Sequence, residues 1–311
     1  MNRDYKYYNT AVAKESSIEH SSVSVFVSNF LELVKIKITI FVAFTTALGY
    51  VLAADTITLG FVLPVAGIFL LACSSAALNH YQERKTDALM ARTMGRPLPS
   101  GNMSGGQVLF ISFSLLTAGC AVLAFGANIE TLIIGLATFI SYNFIYTPLK
   151  KKISLAIIPG SVVGALPPVA GWAAAGGNLL DEKILLVAAY FFLWQIPHFW
   201  ILVLKYGDDY KKANFPVLTD KLPRKKIAGM IFSSTLVSIV PVMVMVFAGM
   251  TNFVLTGVLL GISSLWLVIS MYQLSKSQLE TRTLTRSFIG INFYTLAFIT
   301  LLTLDKLINI I

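Results

Sequence analysis

The sequence predicts an all-α, polytopic membrane protein with nine transmembrane helices, on three observations. Its composition is 56% hydrophobic and only 13% charged, with mean hydropathy +0.75. An ordinary soluble domain carries about 25% charged residues. Apolar runs long enough to cross a hydrocarbon core recur nine times, near 38–54, 58–78, 107–126, 129–146, 154–175, 184–204, 227–248, 252–272 and 287–304. These runs are solid rather than alternating, so the spans read as helices and not as barrel strands.

The third observation is the placement of Lys and Arg. Loops on the N-terminal side of the membrane hold 22 of the 24, leaving only Lys183 and Lys306 opposite. That bias predicts a cytoplasmic N-terminus and, with nine spans, an external C-terminus. The net charge of +9 therefore reflects topology, and no nucleic-acid partner is expected. The chain divides into a polar cytoplasmic tail, 1–36, and a single transmembrane domain, 37–311. The tail contains Asp4, Glu15 and Glu19 and has neither a signal-peptide core nor the acid-poor character of a transit peptide. The expected location is the cytoplasmic (inner) membrane of a bacterium. Cys73 and Cys120 fall inside apolar runs and read as small packing residues, without metal or disulfide spacing.

The loops are unequal. Outer connections are short, as at Ala54-Asp55-Thr56 and Gly249-Met250-Thr251, whereas the cytoplasmic loops after the second and sixth spans are long and polar. Long loops of this kind usually carry function. The second span runs into Asn79-His80-Tyr81-Gln82-Glu83-Arg84-Lys85-Thr86-Asp87. Asn79, Glu83 and Asp87 are four residues apart and share one helix face, each about 6 Å above the last. The sixth span ends in a rough echo, Lys205-Tyr206-Gly207-Asp208-Asp209-Tyr210-Lys211-Lys212. The plain alternative for either cluster is a solvated helix end.

Together the clusters suit a divalent cation and a diphosphate. Mg²⁺ takes oxygen ligands, often one or two carboxylates plus substrate phosphates, and Arg92 and Arg96 follow with forks that match phosphate geometry. Neutralising diphosphate makes it a competent leaving group. An allylic cation left behind needs a dry, aromatic surround, which apolar spans rich in Phe and Tyr supply.

The ladder Asn79-x3-Glu83-x3-Asp87 resembles the first acidic motif of the UbiA-type intramembrane prenyltransferases, with Glu where most members have Asp. Four further blocks resemble the branch that farnesylates protohaem IX. They are Met90-Ala91-Arg92-Thr93-Met94-Gly95-Arg96-Pro97-Leu98-Pro99, Tyr146-Thr147-Pro148-Leu149-Lys150-Lys151, Gly164 to Trp172, and Pro197-His198-Phe199-Trp200 with Asp209-Tyr210-x2-Ala213. They follow the family's order over 79–217, and nine helices match its fold. The second acidic motif departs from the Asp-x3-Asp of quinone-type members, with Lys205 at its first position.

The resemblance implies Mg²⁺ bound by Asn79, Glu83, Asp87 and Asp209, with Asp208 beside it. Arg92, Arg96, Lys150 and Lys205 are expected around the diphosphate, and Tyr146 near the developing cation. His198 is the one ionisable residue well inside a span, where such groups are usually functional. It is expected at the haem, with His80 as a second candidate. Pro167-Pro168, with Gly164 and Gly171, is expected to break the fifth span and widen a cavity. The implied substrates are farnesyl diphosphate and haem B, and the implied partners a terminal oxidase or haem A synthase. A quinone-precursor prenyltransferase would share the ladder without needing the Arg92–Arg96 run or His198. A secondary transporter would place charge near the bilayer midplane, where this sequence has no Asp, Glu, Lys or Arg. A non-catalytic haem chaperone would leave the acidic ladder without a task.

Overall fold

The computed structural model describes residues 22–310, and among these every regular element is helical. Residues 1–21 of the expected tail lie outside the described residues. Helix α1, Ser22–Leu33, precedes nine helices long and apolar enough to cross a membrane. They are α2 Ile36–Ala53, α3 Val62–Asp87, α4 Gly105–Gly126, and α5, which begins at Ile129–Ile140 and continues to Leu149. After these come α6 Ile157–Ala174, α7 Glu182–Lys212, α8 Arg224–Phe247, α9 Val254–Lys276 and α10 Thr281–Ile310.

Sequential helices pack as neighbours, and α10 returns to touch α2 and α7, closing a ring in which α2 and α6 make the central contact. Short connections between antiparallel helices make this order the simplest one available. The ring is pinned where α10 ends. Buried Asp305 accepts hydrogen bonds from the Asn252 backbone N–H (2.8 Å), the Asn252 side chain (2.8 Å) and the Phe253 N–H (3.0 Å), capping the start of α9. Large side chains such as Phe110, Phe125 and Phe247 point outward, as a lipid-facing surface requires. The main core joins α2 and α6–α10 around Tyr190, Phe191, Phe298 and Ile231.

The expected break at Pro167-Pro168 does not occur: α6 is continuous with both prolines inside. Prolines are tolerated in spans where neighbours compensate for the lost N–H groups, and small residues keep those neighbours close. A Cβ on Gly171 would lie 1.8 Å from the Thr46 carbonyl oxygen, and one on Gly49 would lie 1.8 Å from that of Pro168. The glycines therefore serve close backbone contact between α2 and α6, as small residues do between helices in lipid.

The spans beside the long loops are longer than their hydrophobicity suggests. α3 continues nine residues past its apolar run to Asp87, and α7 runs to Lys212 with a kink at Tyr206 (φ −121°, ψ 15°). The acidic clusters therefore stand on helices, while 88–104 and 213–223 form the connections.

Gly171→Val is expected to force α2 and α6 apart. Overpacking of this kind costs about 1–3 kcal/mol, so detergent-solubilised protein should melt several degrees lower. Gly95→Ala, where an added Cβ meets nothing within 4 Å, should melt like the parent.

Candidate active site

The ladder at the end of α3 is buried: Asn79, Glu83 and Asp87 are 0%, 5% and 1% exposed. A solvated helix end is thereby excluded, because carboxylates are buried only when paired. Each member has its own cation. Lys35 Nζ donates to Asn79 Oδ1 at 2.6 Å, Lys150 Nζ lies 2.8 Å from both oxygens of Glu83, and Arg96 donates to Asp87 Oδ2 at 2.8 Å. The three cations come from three places: the α1–α2 corner, the residue after α5, and the α3–α4 connection.

Local structure explains how they converge. Residues Ser141–Tyr146 form a π turn within α5, and the Thr147 N–H bonds the Tyr142 carbonyl, five residues back. An α-helical pattern would have sent it to the Asn143 carbonyl, which instead accepts from Gln82 Nε2 of α3 at 3.0 Å. One helical turn further along, Asn79 Nδ2 donates to Thr147 Oγ1 at 3.1 Å. The π turn therefore docks α5 onto the ladder and places Lys150 against Glu83. Single π turns inside helices recur at functional sites. The α3–α4 connection is fixed by Thr93 Oγ1 donating to the Asp87 carbonyl at 2.9 Å, which positions Arg96 three residues later.

A cavity of about 90 Å³ opens beside Tyr146 and Lys150, bounded by Phe199, Trp200, Tyr210 and 215–218. Tyr146 packs on Tyr142 (5.8 Å) and edge-on to Phe199 (6.4 Å), with Lys150 Nζ 5.4 Å from its ring centre. Polar groups that suit diphosphate thus stand next to aromatic faces.

The UbiA prenyltransferase family model matches residues 42–296. The chain belongs to the UbiA prenyltransferase family. Curated relatives named protoheme IX farnesyltransferase include one from Christiangramia forsetii, 34% identical over 93% of this chain and 97% of that protein. Another, from Oleidesulfovibrio alaskensis, is 31% identical over 89% and 96%. A third, from Geobacter sulfurreducens, is 42% identical over 55% of this chain, a stretch spanning 63% of its own length. Among solved structures, a digeranylgeranylglyceryl phosphate synthase superposes with TM-score 0.72 at 17% identity, over 90% of this chain and 98% of that one. A UbiA homologue from Archaeoglobus fulgidus, bound to GPP and Mg²⁺, gives 0.62 at 14% identity over 88% and 99%. These two establish the fold, a UbiA-type helical bundle.

The remaining candidates divide around the ladder. Arg92 and Lys205 sit on the Tyr206 ring, 5.2 and 5.1 Å from its centre. Met90 packs with Ala213 and Phe215, so the two polar connections meet. Asp209 is partly buried and makes a loose 3.5 Å contact with Lys212, while Asp208 is exposed. Among the described residues no three His, Cys, Asp or Glu side chains form a metal-holding group. Asn79, Glu83, Asp87 and Asp209 thus do not make a closed set of protein ligands. They still fit Mg²⁺, which needs few carboxylates when phosphates complete its shell. The donors are all oxygens, and Glu83 Oε1 lacks a well-directed hydrogen bond despite its nearness to Lys150.

His198 is sandwiched between Trp194 and Phe288, ring centres 4.7 Å from each, and its Nδ1 has no hydrogen-bond partner. His80, next to Asn79, is fully buried with both ring nitrogens unpartnered.

Sequence reasoning counted Lys35 as a topology signal and passed over Gln82, Asn143 and Thr147. Only the π turn reveals the last three, and Pro148 was the available hint. Burial pushes the Lys35 ammonium below the usual lysine range. Burial opposes the Lys150 charge as well, but the Glu83 carboxylate prevails and holds Lys150 above that range.

Lys150→Met should leave Glu83 buried and unpaired, at a cost of about 3 kcal/mol. The double variant Lys150→Met/Glu83→Gln should recover most of that loss. Denaturant unfolding in detergent reads both, and equal stability of the single and double variants would contradict the pairing.

Proposed function

We propose that the protein transfers the farnesyl group of farnesyl diphosphate to a vinyl group of haem B, giving haem O and diphosphate. The observation that carries this reading is the buried ladder with its three cations beside an aromatic interior. It is supported by family membership and by relatives of nearly equal length named protoheme IX farnesyltransferase. The site is read as opening to the cytoplasm, because the bases cluster there, in the inner membrane of a bacterium. Haem O would pass to a terminal oxidase, directly or through haem A synthase.

The residues divide the work by position. Lys150, Arg96, Arg92 and Lys205 bind diphosphate oxygens and oppose the charge that grows as the carbon–oxygen bond breaks. The bonding pair leaves with the diphosphate. Asn79, Glu83, Asp87 and Asp209 would hold Mg²⁺, which supplies charge neutralisation of the leaving group when bound. Each ladder oxygen would exchange its present cation for that role. Tyr146, with Tyr142 and Phe199 packed on it, presents a ring face to the allylic cation and excludes water. The vinyl carbon of haem B attacks this cation, and water captures the new benzylic-type cation, losing a proton to leave a hydroxyethylfarnesyl group. His198, held between two rings with Nδ1 unpaired, is assigned to the haem, at the iron or a carboxylate; His80 is the second candidate.

The deciding experiment incubates membranes containing the protein with haem B, farnesyl diphosphate and Mg²⁺, and resolves haem products by mass. A hydroxyethylfarnesyl haem should form, vanish with chelator, and fall at least about 100-fold with Asp87→Ala. Prenylation of a quinone precursor without any haem product would overturn the acceptor while keeping the site.

His198→Ala is expected to raise KM for haem about tenfold with KM for farnesyl diphosphate unchanged. The reverse pattern would remove His198 from the haem.

A further inference from the structure

Three cations grip the ladder, but they are not equivalent. Lys150 and Arg96 each face a carboxylate, whereas the partner of Lys35 is the neutral amide of Asn79. Its other contact is the Tyr142 hydroxyl at 3.5 Å. Among the described residues no carboxylate oxygen lies within 4 Å of the Lys35 ammonium. A half-buried ammonium bound only to neutral oxygens is incompletely compensated. Such a group is a receptor for an anion.

The backbone around it is built for that aim. Lys35 adopts a left-handed conformation, φ 50° and ψ 52°, at the corner between α1 and α2. Non-glycine residues pay for this conformation, and they persist in it where surrounding structure over-determines it. Here the neighbours do so. Leu33 and Val34 are 0% and 1% exposed, and Leu33 packs with Ala77, Met103 and Val108 of the ladder helix and the following segment. The Lys35 carbonyl accepts from the N–H groups of Ile38 and Thr39 at the start of α2. Reversing the corner at this residue turns its side chain inward, while Lys37, two positions on, is exposed.

We infer that Lys35 is a further diphosphate-binding residue, holding Asn79 in the ligand-free protein and passing to a phosphate oxygen when metal and diphosphate enter. The inference rests on the metal–diphosphate reading of the ladder and deepens it. A metal ion on Asn79 Oδ1 would stand beside the ammonium that the same oxygen holds at 2.6 Å, and repulsion between the two cations favours release of Lys35. Tyr142, on the π turn, lies where it keeps the freed ammonium near the site. The corner thereby couples α1 to diphosphate occupancy, because Lys35 is the residue that joins α1 to α2.

The test uses the full-length protein in detergent and measures inhibition of the prenyl transfer by inorganic diphosphate with Mg²⁺, alongside KM for both substrates and the melting temperature. Lys35→Gln should weaken diphosphate inhibition about ten- to hundredfold, the range of one charge-assisted hydrogen bond, while KM for haem stays unchanged. Lys35→Gly, which suits a positive φ, provides a variant free of backbone strain and should show the same loss. Lys35→Arg should retain inhibition, and Lys37→Gln should behave as the parent. Parental diphosphate inhibition in Lys35→Gln or Lys35→Gly would overturn the inference and leave the ladder reading intact. So would parallel losses for both substrates with a lowered melting temperature, which mark a structural role. An unsubstituted protein that transfers prenyl groups but ignores magnesium diphosphate would instead sink the ladder reading itself.

Discussion

The structure depends on one constraint: two carboxylates and an amide must be buried at the end of a membrane helix without being neutralised. Glu83 and Asp87 are nearly as inaccessible as core leucines, and a buried carboxylate is tolerable only with a cation in contact. Each cation is imported from a different segment, so the ladder specifies where α1, the α3–α4 connection and the end of α5 must lie. Removing it would release three segments together. The same arrangement serves chemistry, since a site rich in cations and exchangeable oxygen ligands suits a charged leaving group that arrives and departs with metal.

α5 shows how a local irregularity serves that constraint. A regular α-helix would satisfy the Asn143 carbonyl internally and give Gln82 no acceptor. The π turn sends the Thr147 N–H five residues back, to the Tyr142 carbonyl, and the freed Asn143 carbonyl becomes a docking point for α3. It also sets the rotation of Tyr146, whose ring fills a slot beside Gly160, where a Cβ would lie 2.5 Å from ring carbon Cδ2. Irregular backbone is affordable inside a membrane domain only where protein groups satisfy it, and the Gln82 side chain supplies that group, while Asn79 holds the Thr147 hydroxyl beside it.

Much of this was legible before any coordinates. Nine apolar runs and a period-four ladder are strong signals, because lipid forces backbone satisfaction within each span and the helix repeat sets which residues share a face. Helix ends were less legible: hydropathy stops at about residue 78, while α3 continues to Asp87 on hydrogen bonds and ion pairs that hydropathy does not register. Pro167-Pro168 was misleading for a related reason. Proline chemistry argues for a break, but Gly49 and Gly171 bring α2 close enough to hold α6 straight, a tertiary effect outside local sequence. Lys35 was hidden in plain view, since a lysine at a cytoplasmic helix start is what the charge bias leads one to expect. Its left-handed backbone, which marks it out, is not encoded by any glycine or asparagine.

The two ends of the site differ in a way that bears on selectivity. The ladder end, proposed to take the diphosphate, is assembled from ion pairs, whose partners can exchange, and from two connections joined through Met90, Ala213 and Phe215. The surroundings of His198, proposed as the acceptor side, are assembled from ring contacts with Trp194 and Phe288, and α7 and α10 carry them. Trp194 is in turn anchored by its indole N–H to the Ile291 carbonyl at 3.2 Å. Ring packing of this kind adapts poorly to a different acceptor, whereas ion pairs accept any diphosphate of the right charge. Under the proposed function, a change of acceptor is therefore expected to require substitutions on α7 and α10, with the α3 ladder left alone.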